Sequence, residues 1–268
     1  MLIVVDGAVD LPEDLETSGR ARVVPGGLFD GAGPFDGDRG RLWESLRQGA
    51  FPSSRPPTVN ALLEAYRHDG LVLGLHVSAE LSATVSRARE AAVRAGPGVV
   101  VVDTRSLSVG AGLVAAAVDR AARDPGSSES VVERARSLPE RVHTFVLVQD
   151  AAALRRSGRA GLLPSGGPVR DRPVVLAVRG RAVVLDQPRD RHRAVRRLVE
   201  HVRNHAEAEG SRWALGHGDA GDLDLLAGQL SASFGRPPDF VSLIDPTVGV
   251  HVGAEAIVVG VLAEPAEG

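Results

Sequence analysis

The chain has 268 residues, 43% hydrophobic and 24% charged, enough to bury a substantial core as one large domain or two small ones. A net charge of −3 and a pI near 6.2 exclude a general binder of nucleic acid or anionic membrane. There is no Cys, which excludes a disulfide framework, a thiolate nucleophile and a zinc-thiolate site, and which fits a cytoplasmic protein. All 31 basic residues are Arg; none is Lys.

The opening apolar run, Leu2 to Val5, meets Asp6 at once and lacks a basic leader, so it reads as a strand and not as a signal peptide. No stretch reaches the roughly 18 apolar residues that span a membrane. A ligand drawn from a membrane would therefore travel inside the fold. Further strand-like runs follow at Arg22–Val24, Leu71–His76, Gly98–Val102 and His143–Val148. Helical patterns lie between them near Arg41–Gln48, Ala61–Arg67, Leu81–Arg94, Ala111–Ala122 and Glu129–Leu138. Apolar strands alternating with helical crossovers predict a mostly parallel sheet covered on both faces.

Residues Leu154 to Pro173 form a Gly-, Pro- and Arg-rich break. After it, Val174–Val178 and Arg181–Leu185 are joined by Arg179-Gly180 and read as a hairpin. A helix near Arg189–Glu209, a strand at Trp213–Gly216, a helix at Leu223–Ser233 and strands near Phe240–Ile244 and Ala256–Leu262 complete an α+β half. The reading is an α/β protein of two domains: residues 1–150 with a flavodoxin- or Rossmann-like parallel sheet, and residues 151–268. In an open sheet of this kind ligands sit beyond the C-terminal strand ends. Asp6, the loop after His76 and Asp103 all lie at such ends and are expected to share one crevice, with the second half as its lid.

The stretch LVLGLHVSAELSAT, Leu71 to Thr84, carries the strongest chemical signal. A buried strand empties into Ser78, Ser82 and Thr84 where a helix begins, which gathers backbone N–H groups and hydroxyl donors at one spot, suited to an anion. Read alone, the same residues also serve as a cap and a first turn.

Other segments fall into line with this loop. The chain opens LIVVDGAVDLP, continues RVVPGGLFDG and SSRPPT (Ser53 to Thr58), and after the Ser78 loop shows VVDTRSLSVGAG (Val101 to Gly112), RRSGRA (Arg155 to Ala160) and GVHVG (Gly249 to Gly253). This ordered set resembles the DegV family of bacterial fatty-acid-binding proteins. Its members show D-S-T-A-D-L-P, T-S-Q-P-S, S-S-x-L-S-G-T, D-S-x-x-x-S-x-G-x-G, K-G-G-R and H-x-G-P-G in that order. The resemblance covers nearly the whole chain.

The resemblance implies a non-catalytic lipid-binding protein with no cofactor. A long-chain fatty acid would lie in an apolar tunnel between the halves, its carboxylate presented to a fatty acid kinase catalytic subunit. Ser54 stands where the family has its first Thr, a carboxylate ligand, on a loop stiffened by Pro56-Pro57. Ser78, Ser82 and Thr84 remain from the second loop, but its second Ser is Ala79, whose backbone N–H would have to serve. The opening hydroxyls are replaced by Gly7 and Ala8. Arg159 matches the Arg of K-G-G-R, Arg189 an Arg before the family's paired-Lys helix start, and His251 the His of H-x-G-P-G, although Ala254-Glu255 replaces the last Pro-Gly. Cations beside a carboxylate offset its desolvation. Taken singly, each Arg also reads as a solvated charge, and His251, between Val250 and Val252, as a core histidine.

Asp103 to Gly112 reads mainly as architecture, its glycines permitting close approach. His201 and His205 stand at i, i+4, but no third ligand accompanies them and the helix is otherwise Arg and Glu, so no metal site is assigned. The glycines of GGLFDGAGPFDG lack the Lys of a phosphate loop, and no G-x-S-x-G elbow is present. Two alternatives stay open. One is a divergent family member that binds lipid without a kinase. The other is a small hydrolase or metabolite-binding protein using Ser54 or Ser78 with His251.

Overall fold

A computed structural model of the chain describes residues 1–29, 33–35, 39–48, 52–124, 126–149, 151–158, 160–163, 173–204, 210–218, 220–221 and 223–263. The first elements are β1 (Leu2–Asp6), α1 (Glu13–Thr17), β2 (Ala21–Val24), β3 (Gly27–Phe29), α2 (Arg39–Arg47), β4 (Ser53–Arg55), α3 (Val59–Ala65), β5 (Val72–His76), α4 (Thr84–Ala95), β6 (Val99–Asp103), α5 (Ser108–Arg123) and α6 (Ser128–Ser137). Strands β1 and β5 are buried along their whole length, as continuous apolar runs require in a sheet covered on both faces. The sheet has the order β2-β1-β5-β6 and is parallel throughout.

The chain continues through β7 (Val142–Val148), α7 (Ala151–Arg156), β8 (Val174–Arg179), β9 (Arg181–Asp186), α8 (Arg191–Arg203), β10 (Arg212–His217), α9 (Leu223–Phe234), β11 (Val241–Leu243), α10 (Pro246–Val252) and β12 (Ile257–Leu262). Strands β7 to β12 make a mixed six-stranded sheet of order β11-β10-β12-β7-β8-β9. The strand predicted at His143–Val148 therefore belongs to the second sheet: β7 runs antiparallel to both β12 and β8. The expected hairpin is β8–β9, its turn made by Gly180 at φ 83°. Helix α8 ends at Arg203, short of the predicted Glu209, and residues 205–209, His205 among them, lie outside the described set.

The reason β7 crosses over is α5. Its sequence SVGAGLVAAAV is buried almost completely, so both of its faces carry a sheet. It packs on β12, β10 and β7 of the second sheet and on β5 of the first. Glycine makes this approach possible. A Cβ on Gly260 would lie 2.7 Å from the Gly110 Cα, so helix and strand touch backbone to backbone. A Cβ on Gly110 would collide with the Thr144 hydroxyl, which accepts or donates a 2.6 Å bond with Ser106. The outer faces are closed by α3 and α4 on the first sheet and by α8 and α9 on the second. Among the described residues, no helix is long and apolar enough to cross a membrane.

The substitution Gly110→Ala overfills this contact and is expected to destabilise by about 1–3 kcal/mol, with a fall in Tm of about 2–4 °C per kcal/mol. Gly228→Ala, in α9 with nothing within 4 Å of the added carbon, is expected to leave stability unchanged or raise it. Thermal and urea denaturation check both.

Candidate functional site

A cavity of about 540 Å³ opens between the C-terminal ends of β1 and β5 and the inner face of β7, β8 and β9. Most of its depth is apolar: Val77, Leu107, Val146, Leu154, Leu176 and Val178 face it. Its polar residues come from five places: Asp6 at the end of β1, β4, the start of α4, the end of α7 (Arg156 and Ser157), and α10.

Strand β4 lies within SSRPPT, which the sequence suggests as a loop. It pairs antiparallel with β3, Ser54 opposite Leu28. Pro56 and Pro57 have no N–H for a ladder, and their carbonyls are taken by Arg87 Nη1 of α4 at 2.8 and 3.0 Å. Helix α10 carries His251. Asp245 caps it by accepting from Thr247 N–H at 2.8 Å, and Gly253 ends it at φ 90°. Asp245 is tied back to the first half, its N–H donating to Asp10 Oδ1 at 2.9 Å. These two supports bring Ser54 Oγ within 2.7 Å of His251 Nε2, both half-buried on the cavity wall. Residues 197 apart in sequence thus meet at one point.

Behind the cavity stands a buried polar chain. Asp6 accepts from Ala8 N–H and Val77 N–H, each at 3.0 Å, and from His76 Nδ1 at 3.1 Å. His76 Nε2 lies 2.8 Å from the Tyr66 hydroxyl. Burial, and then the negative charge of Asp6, push the Tyr66 phenol well above its ordinary value of 10.0. The phenol therefore keeps its proton, and the ring of His76 is held between the Tyr66 hydroxyl at Nε2 and Asp6 at Nδ1. The set fixes the turns that follow β1 and β5, and so the floor of the site.

Ser82 and Thr84 line the cavity and bond each other at 2.8 Å. Ser78 does not reach it. Its hydroxyl is fully buried and donates to the Gly180 carbonyl at 2.6 Å, pinning the β8–β9 turn to the first half. Ala79 also points elsewhere, its N–H donating to Asp103 Oδ2 at 3.3 Å. Asp103 is spent on this loop and on Arg105 N–H, at 2.8 Å, and is not part of the crevice. Arg189 is exposed on the segment before α8, away from the cavity wall. Arg159 lies outside the described residues. Gly7 has a packing cause: a Cβ there would lie 3.3 Å from Asp245 Oδ1 and 3.4 Å from Gly26 N.

Sequence reading missed Arg87, Arg55 and Thr247 on the wall. A helical signal was present for two of them. Arg87 falls one turn after Thr84, and Thr247 one turn before His251.

The DegV family model, described as that of an uncharacterised protein family, matches residues 1–264. The chain belongs to the DegV family. A DegV domain-containing protein of Deinococcus radiodurans is 33% identical over 283 residues, covering 98% of each chain. One from Mycobacterium tuberculosis is 29% identical over 267 residues, covering 96% of this chain and 95% of the other. Among solved structures, a Thermus thermophilus DegV protein described for its fatty acid binding superposes with a TM-score of 0.83 at 25% identity, covering 98% of this chain and 99% of that one. A stearic-acid-binding protein of Eubacterium ventriosum shares the fold at a TM-score of 0.90 and 18% identity, with 98% of both chains covered.

The buried chain behind this DegV site gives a direct test. Tyr66 is the one Tyr, and no Lys or Cys titrates beside it. A phenol whose pKa is raised by folding contributes stability below its unfolded value, and that stability is lost as pH rises beyond it. Phenolate absorbance is expected to stay absent above pH 10.0, then appear together with unfolding. Tyr66→Phe leaves the His76 ring nitrogen without its hydrogen-bond partner and is expected to cost about 1–3 kcal/mol at neutral pH, while removing the alkaline loss of stability.

Proposed function

We propose that this protein binds a long-chain fatty acid in the cavity, with the carboxylate at Ser54 and His251 and the acyl tail along Val146, Leu176, Val178 and Ala182. The observation that carries the reading is the 2.7 Å Ser54–His251 pair at the polar end of a slot whose remaining depth is apolar. Its volume of about 540 Å³ falls in the usual range for a small-molecule site. Burial of a tail at about 0.8 kcal/mol per methylene supplies affinity without aromatic residues, in keeping with a chain that is 3% aromatic. The hydroxyl and the imidazole each donate to a carboxylate, and a protonated imidazole adds a charge. Fatty acid binding by the Thermus thermophilus relative supports the same reading.

The finer proposal is that the protein holds the acid in the cytoplasm for phosphorylation by a separate kinase, without transferring the phosphoryl group itself. Gly7, Ala8 and Ala79 favour the alternative of a lipid carrier without that partner, and acyl phosphate formation with the host kinase subunit separates the two. A hydrolase reading rests on the same Ser–His contact, since a base in hydrogen-bond reach can activate a hydroxyl. Covalent capture of Ser54 by a fluorophosphonate would establish it, and a protein left unlabelled would remove it.

Mass spectrometry of the denatured purified protein is expected to recover a near-stoichiometric acyl species. Ser54→Ala is expected to weaken palmitate binding about tenfold, the worth of a hydrogen bond to a charged group. Ala182→Phe is expected to abolish binding of long chains while octanoate still binds. No recovered acyl species, together with no thermal shift on adding fatty acid, would overturn the reading.

A further inference from the structure

Arg87 lies on α4 one turn after Thr84, half-buried, and faces the cavity. Only its Nη1 is engaged, by the carbonyls of Pro56 and Pro57 at 2.8 and 3.0 Å. Both acceptors are neutral, so the positive charge is left standing. Among the described residues no carboxylate lies within ion-pair distance of this guanidinium, and Nε and Nη2 make no hydrogen bond. Asp6, the carboxylate on the same wall, is saturated by two backbone N–H groups and His76. A half-buried cation without a counter-charge is costly unless an anion completes it.

Other wall cations differ. Arg55 is exposed and its guanidinium rests 4.2 Å from the centroid of the Phe29 ring; Arg156 is exposed. The head-group region also lacks hydroxyls at Gly7 and Ala8, both on the cavity wall. A charged donor makes hydrogen bonds roughly twice as strong as a neutral one, so a single guanidinium can stand in for neutral donors lost nearby.

Building on the fatty-acid reading above, we infer that Arg87 is the counter-ion of the ligand's acidic head in this chain. It takes the place of the missing hydroxyls and selects ionised lipids over neutral ones of the same length. Its two bonds to the proline carbonyls hold the guanidinium on the segment that follows Ser54, on the same cavity wall, so the charge is positioned before the ligand arrives.

The test compares palmitate with 1-hexadecanol, displacing a fluorescent acyl probe from the full chain and from Arg87→Gln, Arg87→Met and Arg87→Lys. Melting curves identify the folded variants. The full chain is expected to prefer palmitate. Arg87→Gln is expected to lose about tenfold or more of that preference, with hexadecanol affinity unchanged. Arg87→Met, which keeps the aliphatic stem packed, reads the same loss if the Gln variant does not fold. Arg87→Lys is expected to keep most of the preference, because the charge remains although the fork is gone. An unchanged preference in Arg87→Gln or Arg87→Met, or a loss in Arg87→Lys as large as theirs, would overturn the assignment while leaving fatty acid binding intact. A full chain that binds neither lipid would overturn the fatty-acid reading itself, and this inference with it.

Discussion

Two sheets can enclose a lipid-sized slot only if something holds them at a fixed distance without filling the space between. Helix α5 meets that requirement here. Its run of Gly, Ala and Val is thin enough for a strand of the second sheet to touch its backbone at Gly110 and Gly260, while its other face covers β5. At its start, Ser108 donates to Asp10, and Asp10 accepts from Asp245 N–H, so the helix origin also fixes α10. The apolar core runs without a break through both sheets around this helix. The cavity lies beyond the helix N-terminal end, where the sheets are no longer held in contact.

Given that spacing, the polar end of the slot is assembled from parts that approach from opposite halves. Ser54 comes with β4 and His251 with α10, and their meeting joins the second strand pair of the first half to the last helical turn before β12. Behind them, the saturated Asp6 carboxylate acts through the backbone and not as a ligand: every oxygen is occupied, so it repels an incoming anion less than a bare charge would. The result is a site in which the fixed negative charge of Asp6 is screened by donors, while the positive charge of Arg87 meets only neutral carbonyls among the described residues.

Much of this was legible in the sequence because periodicity and turn residues report local structure directly. The parallel strands, the Gly180 hairpin and the small-residue helix after Asp103 all follow from residues close in the chain. The Ser54 and His251 pairing was legible through motif order, not through any local pattern. What escaped reading depends on contacts between distant segments. Nothing in VHTFVLV tells which sheet takes β7, since a buried strand looks the same in either. Ser78 carries the donors of an anion loop, yet its hydroxyl goes to Gly180, 102 residues away. Arg87 is one Arg among 31 basic residues, and only the fold shows that it faces the slot with no carboxylate beside it among the described residues.

The most direct test is a crystal structure of the protein with palmitate. The carboxylate should lie within hydrogen-bond distance of both Ser54 Oγ and His251 Nε2, with the tail running between Val146, Leu176 and Val178. A lipid bound on the outer surface, or one lying in the slot with its acid at the far end from His251, would contradict this arrangement.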